Sequence, residues 1–212
     1  GLDRLPLSQD HFPQYRGGKC DPEVGPGWPR SGERKTILWN HRWEHDKGPD
    51  EFVFLIEALV AAGLEFDVAV VGEQFVSAPD SFDRLPELLG DRLVAFGFAP
   101  DEEYVDLLRR ADIVVSTADH EFFGIAIVEA MAAGAFPVLP NRLVYPERLA
   151  GAHHDRCLYD NTESLVSGVR WALENRAEAI EIGNDLAATV EKYDWTEVAP
   201  AYDAVMQSLV TG

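Results

Sequence analysis

The stretch TILWNHRWEHDKGPDEFVFLIEALVAAGLEFDVAVVG, residues 36–72, carries the alternation from which the fold is read. TILWN and FDVAVVG are short runs rich in β-branched and aromatic residues, whereas PDEFVFLIEALVAAG between them is long and amphipathic. An apolar run, a helix and a second apolar run make a βαβ unit, whose parallel strands are covered on both faces. The alternation continues through FDRLPELLG, RLVAFG, PDEEYVDLLRRA, DIVVST, FGIAIVEAMAAG and FPVLP. The predicted class is therefore α/β, a Rossmann-like parallel sheet flanked by helices. Beyond Pro140, PERLA reads as a turn and CLY as a short strand, followed by helices over about 162–176 and 177–191. In the final segment Trp195, Val198, Tyr202, Val205 and Leu209 recur every three or four residues, a helical stripe.

On the other side, residues 1–34 hold five prolines and six glycines, a density that breaks regular structure. This segment is expected to be a linker or arm from a preceding lobe, with residues 35–212 as one domain. The opening Gly-Leu-Asp reads as the middle of a longer chain.

Charge narrows the partners. With 37 Asp and Glu against 18 Lys and Arg, the formal net charge is −19, and only positions 19, 35, 47 and 192 are lysine. Polyanions gain affinity from cations that release counterions, so this segment alone is a poor nucleic-acid binder. The acid surplus also fits a surface suited to high salt, where carboxylate repulsion is screened; an ordinary acidic surface fits as well. Cys20 and Cys157 are too few for a metal cluster or a disulfide framework, so two free thiols in a reducing compartment are expected. Without an apolar run of membrane length or a signal-peptide pattern at its start, the chain reads as cytoplasmic.

Several chemistries lose their usual support, because the sequence has no G-x-G-x-x-G after the first strand, no P-loop motif, no G-x-S-x-G and no D-x-D. Open α/β sheets bind ligands at the C-terminal ends of their strands, which directs attention to three loops. The first holds Arg42 and Lys47, five residues apart, with Asp50 as a candidate N-cap for the next helix. Two such cations suit a diphosphate clamped by charge-assisted hydrogen bonds; equally, they suit a solvated loop in which they pair with Glu44 and Asp46. The second loop, ADHEFFGIAIVEAMAAG, places Glu121 before a helix expected to start near Phe123, with Glu129 inside that helix. Free N–H groups around Phe122, Phe123, Gly124 and Ile125 would suit a phosphate. Glu129, among apolar neighbours, either faces solvent or waits for a polar partner, and Glu121 also suits simple complementation of the helix dipole. The third, VAFGFAPDEE, follows what reads as the fourth apolar strand. There Gly97 permits close backbone approach and Phe98 offers a flat surface to a base or a side chain to the core, while Asp101 reads as an N-cap. His153 and His154 fall in an apparent exposed loop without ligand partners.

Together these loops resemble the C-terminal, donor-binding lobe of GT-B glycosyltransferases of family 4. The R-x4-K-G motif of that family is matched by Arg42, Lys47 and Gly48, and its E-x7-E motif by Glu121 and Glu129. Gly97-Phe98-Ala99 matches its base loop and Tyr193-Asp194-Trp195 its C-terminal signature. The stretches ILWNHRWEHDKGPDEF, STADHEFFG and LVYPE are, more narrowly, similar to tRNA-queuosine α-mannosyltransferases. His41 in place of a glycine, and PNRLVYPE in place of a Gly-Gly loop, depart from the wider pattern.

The resemblance implies retaining mannosyl transfer from GDP-mannose without an essential metal or other cofactor. It implies that Arg42 and Lys47 neutralise the leaving diphosphate, that Glu129 holds the ribose hydroxyls, and that the base rests on Phe98. Glu121, with the backbone of Phe122, Phe123 and Gly124, would orient the hexose. It also implies an N-terminal lobe carrying most acceptor contacts and tRNA as a partner of the whole enzyme, while the acidity of this segment argues against docking on an anionic membrane. Two other classes stay open: a non-catalytic nucleotide-binding module, and a family 4 enzyme using another nucleotide-sugar with a small-molecule or lipid acceptor.

Overall fold

The computed structural model describes residues 34–74, 80–149 and 151–211. Apart from Arg34, the arm expected over residues 1–34 lies outside them, as does Cys20. In chain order the elements are β1 (Lys35–Trp39), α1 (Pro49–Ala61), β2 (Phe66–Val71), α2 (Leu85–Leu89), β3 (Leu93–Gly97) and α3 (Asp101–Arg110). They continue with β4 (Ile113–Val115), α4 (Ile125–Ala132), β5 (Phe136–Pro140), α5 (Tyr145–Arg148) and α6 (His154–Cys157). The chain ends with β6 (Leu158–Tyr159), α7 (Thr162–Glu174), α8 (Arg176–Val190) and α9 (Trp195–Thr211).

All six strands form one parallel sheet in the order β3-β2-β1-β4-β5-β6. The strands are apolar through their length because both faces are covered: Ile37, Leu38, Trp39, Val68, Val114 and Phe136 are all buried. Helix α7 packs against α1 and α8 against α4; the right-handed crossover rule for parallel strands, with β1–β2 and β4–β5 running in opposite directions across the sheet, puts the two pairs on opposite faces. The sequence order of the strands reverses between β1 and β4, so the loops leaving these two neighbours part and open a crevice. That crevice holds the site.

Several local expectations are corrected. RLVAFG is the third strand and not the fourth, since FDRLPELLG is, as the alternation implies, helical: a 3-10 turn over Asp80–Arg84 running into α2. Asp50 is not the cap of α1. Pro49 starts the helix, Gly48 caps it in the left-handed conformation, and Asp50 falls in the first turn, where it accepts a hydrogen bond from Ser81. Gly48 cannot be replaced cheaply, since a Cβ there would lie 2.1 Å from the Thr117 carbonyl oxygen. Asp101 is likewise the first residue of α3, with Pro100 as the cap. His153 and His154 are half-buried at the start of α6, where the His154 ring bonds the Pro146 carbonyl.

The 193–210 stripe is helical as expected, but its Tyr202, Val205 and Leu209 are exposed and add nothing to the core. Cys157 is a buried free thiol, pushed up to about 12 by burial and by Asp155. Among the described residues no helix is long and apolar enough to cross a membrane.

Candidate functional site

A cleft of about 670 Å³ opens at the C-terminal ends of β1 to β4. Of the nine residues singled out from the sequence, Arg42, Lys47, Phe98, Phe122, Phe123, Gly124, Glu121 and Glu129 line it. Gly97 stands just behind, ending β3 at φ 104° and turning the chain so that Phe98 projects, two-thirds exposed, at the cleft edge.

Lys47 is the buried hub. Its side chain is only 8% exposed, and Nζ donates to the His120 carbonyl at 2.6 Å while lying 3.4 Å from Glu121 Oε2 and 3.5 Å from Asp46 Oδ2. Arg42 is by contrast half-exposed and pairs at 3.2 Å with Glu44. The carboxylate pairings weighed for this loop are thus both present, and both cations nevertheless reach the cleft. The difference in burial matters: Lys47 is held in one position, whereas Arg42 is free to swing to a ligand at small cost.

Glu121 does not sit beside free backbone donors. Its Oε1 accepts from the N–H groups of Phe122, Phe123 and Gly124 at 2.9, 3.3 and 3.1 Å. This carboxylate cap keeps residues 122–124 in a tight loop and delays α4 to Ile125, two residues later than expected, with Gly124 as a left-handed cap. Burial alone would raise the Glu121 carboxyl; Lys47 and the three N–H groups outweigh it and hold the group below its usual range.

Glu129 has the partner that its apolar surroundings demand. Tyr104 donates its hydroxyl to Glu129 Oε2 at 2.8 Å, and Asn40 Nδ2 donates to that same hydroxyl at 3.0 Å and to the Ala126 carbonyl at 2.9 Å. Burial raises the carboxyl and the Tyr104 bond only partly offsets it. Glu129 lines the cleft, and among the described residues only its Oε2 has a hydrogen-bond partner given above.

Asn40, His41 and Tyr104 also line the cleft and were not picked out as site residues. His41 is buried against Trp39, with ring centroids 5.1 Å apart, and its Nε2 has no hydrogen-bond partner among the described residues. Burial and then Lys47 lower its imidazole to about 4, so it is neutral at pH 7. Tyr104 reaches Glu129 from a different helix, a contact for which no spacing in the sequence gives a signal.

The arrangement presents a buried ammonium, a half-exposed guanidinium, a neutral imidazole, two carboxylates of opposite pKa displacement and an exposed aromatic ring, all on one crevice. Residues 26–188 match the family described as glycosyl transferases group 1. The chain belongs to that family. A tRNA-queuosine alpha-mannosyltransferase of Drosophila melanogaster is 47% identical over 111 residues, 52% of this chain and 29% of that protein. A GDP-mannose:cellobiosyl-diphosphopolyprenol alpha-mannosyltransferase of Xanthomonas oryzae is 26% identical over 177 residues, 79% of this chain and 45% of that protein. The alignments thus span less than half of either relative. Among solved structures, sucrose-phosphate synthase from Thermosynechococcus elongatus superposes with a TM-score of 0.70 at 20% identity, over 86% of this chain and 47% of that one. The parallel sheet and its helices are those of the GT-B glycosyltransferases.

Proposed function

We propose that this group 1 glycosyl transferase chain is the donor-binding lobe of a retaining α-mannosyltransferase that uses GDP-mannose. In the complete protein the acceptor is queuosine in tRNA. The observation that carries this is the convergence of Lys47, Arg42, Glu121 and Glu129 on the crevice at the strand-order reversal. The 47% identity to the Drosophila enzyme supports the narrower substrate assignment.

Lys47 and Arg42 take the role that a divalent cation plays in other phosphate-leaving sites: positive charge fixed where the diphosphate leaves, in a crevice of reduced dielectric. As the C1–O bond of mannose breaks, the electron pair passes to the diphosphate oxygen. The acceptor hydroxyl oxygen forms the new bond to C1, and its proton passes to the departing diphosphate oxygen that has received the electron pair. No metal is required for this charge balance.

Glu121, braced by the 122–124 backbone, holds hexose hydroxyls, Glu129 holds the ribose, and Phe98 supports the base. The N-terminal lobe supplies acceptor contacts, so the isolated chain binds donor weakly and transfers nothing. A surface of formal charge −19 leaves tRNA docking to that other lobe.

Calorimetry of the chain with GDP, UDP and ADP tests the donor side, with binding preferentially to GDP expected. Absence of heat with all three would overturn the assignment. Incubating the full-length protein with GDP-mannose and queuosine-containing tRNA tests the acceptor; transfer to a polyprenol diphosphate acceptor instead would favour the activity printed for the Xanthomonas relative.

A further inference from the structure

Arg148, on the short helix α5, is a buried cation outside the cleft. It is 9% exposed, and among the described residues no carboxylate pairs with it. An unpaired guanidinium in such a place is costly unless its donors and its flat face are all used. Two of its donors and its flat face are engaged, on two segments far apart in sequence. Nε donates to the Phe123 carbonyl at 2.8 Å and Nη1 to the Tyr193 hydroxyl at 2.8 Å. The guanidinium carbon lies 4.2 Å from the Phe123 ring centroid and 5.0 Å from that of Tyr193, and the two rings meet edge to face at 5.3 Å. Helix α5 is itself anchored, because the buried Tyr145 hydroxyl bonds Ser116 Oγ at 2.6 Å.

The Phe123 carbonyl and the Gly124 N–H are two ends of one rigid planar amide and point in opposite directions. Arg148 holds the carbonyl end. The N–H end is thereby aimed into the cleft, where it now donates to Glu121 Oε1 at 3.1 Å. Gly124 at φ 79° has no side chain to restrict this peptide, so its direction is set by the holds at its two ends, Arg148 on the carbonyl and Glu121 on the N–H.

We infer that Arg148 is a positioning residue for the donor sugar: clamped by Tyr193, it orients the Phe123–Gly124 peptide whose N–H holds Glu121, the carboxylate that meets the hexose. This deepens the proposed function and rests on its placing of the hexose at Glu121. It also gives Tyr193, noted in the sequence only as part of a terminal signature, a physical task in the site.

The test uses Arg148→Met, which keeps the apolar stem, Arg148→Lys, which keeps a donor for the Phe123 carbonyl, and Tyr193→Phe, which removes only the hydroxyl. Two readouts are needed: amide hydrogen exchange at residues 122–124, and calorimetric Kd for GDP and GDP-mannose. In Arg148→Met, exchange at Gly124 is expected to rise at least about tenfold while amides of β1 and β4 stay protected. GDP-mannose should weaken about tenfold, the loss of roughly one hydrogen bond, with GDP within about twofold. Arg148→Lys should restore much of the Gly124 protection. If Arg148→Met does not fold, Tyr193→Phe decides, with a smaller change in the same direction.

Equal weakening of GDP and GDP-mannose, or unchanged Gly124 exchange in a folded variant, overturns the positioning role. Failure of the donor assignment shows separately, as wild-type protein that binds neither ligand. That result removes the hexose from the inference and leaves exchange to decide whether Arg148 sets the peptide.

Discussion

Acidification from pH 7 to 5 should destabilise this fold through His41. An ordinary imidazole near 6.5 in the unfolded chain falls to about 4 in the fold, because burial and the Lys47 ammonium both oppose a second positive charge. The folded value is the depressed one, so this contribution to stability is present above about pH 6.5 and is lost as the pH falls toward 4. Linkage over that interval gives a loss of about 2 kcal/mol at pH 5 and about 3 kcal/mol by pH 4, relative to pH 7.

The comparison is His41→Phe, which keeps a ring against Trp39 and has no group to titrate. Carboxyl groups such as Glu121 and Glu129 titrate in both proteins and largely cancel in the difference. Urea unfolding followed by the fluorescence of buried Trp39 and Trp43 should show the wild-type midpoint falling roughly 1 M further than the variant's between pH 7 and 5, for a slope near 2 kcal/mol per M. Identical losses in the two proteins would refute the claim that His41 is buried and neutral. A wild type more stable at pH 5 than at pH 7 would refute it more strongly. The matter bears on function, since a neutral His41 leaves Lys47, among the described residues, as the single buried cation lining the cleft.

Lys47→Met and Arg42→Ala should each weaken GDP tenfold or more while changing guanosine little, since one charge-assisted bond to phosphate is lost; equal losses for guanosine would assign these residues to the fold instead. Only Lys47→Met should also lower the thermal midpoint, because Arg42 is exposed and its pair with Glu44 is of the weak surface kind. Because the Glu129 carboxyl is raised by burial, GDP affinity should fall on acidification at a higher pH than for an ordinary glutamate, and Glu129→Gln should abolish that dependence in titrations across pH 4–7. Gly183→Ala places a Cβ 2.4 Å from the Gly134 carbonyl oxygen, so α8 must move off α4; a loss of about 1–3 kcal/mol is expected in urea melts. Raising salt from 0.1 to 1 M shortens the Debye length from about 10 to 3 Å and should stabilise a domain of formal charge −19; thermal melts showing greatest stability at low salt would refute the role given to self-repulsion.

The parallel α/β sheet is legible in the order of residues because a strand buried on both faces must be apolar throughout, and runs such as Ile37–Trp39 and Val68–Val71 alternate with amphipathic helices. Lys47 and Glu121 are legible for a related reason, each a charge in a loop at the strand end where α/β sheets bind ligands, and Glu129 as a carboxylate among apolar residues of the helix that follows. Exact helix starts at Asp50, Asp101 and Phe123 were misplaced, since Gly48, Pro100 and the Glu121 carboxylate compete for the same capping role and propensity does not rank them. Tertiary structure alone decided the rest. The Tyr104–Glu129 bond, the burial of His41 beside Lys47 and the grip of Arg148 on Phe123 and Tyr193 join residues that only folding brings together. Their energies come from desolvation and from short, oriented hydrogen bonds, quantities that depend on distance and surroundings in space and leave no periodic trace along the chain.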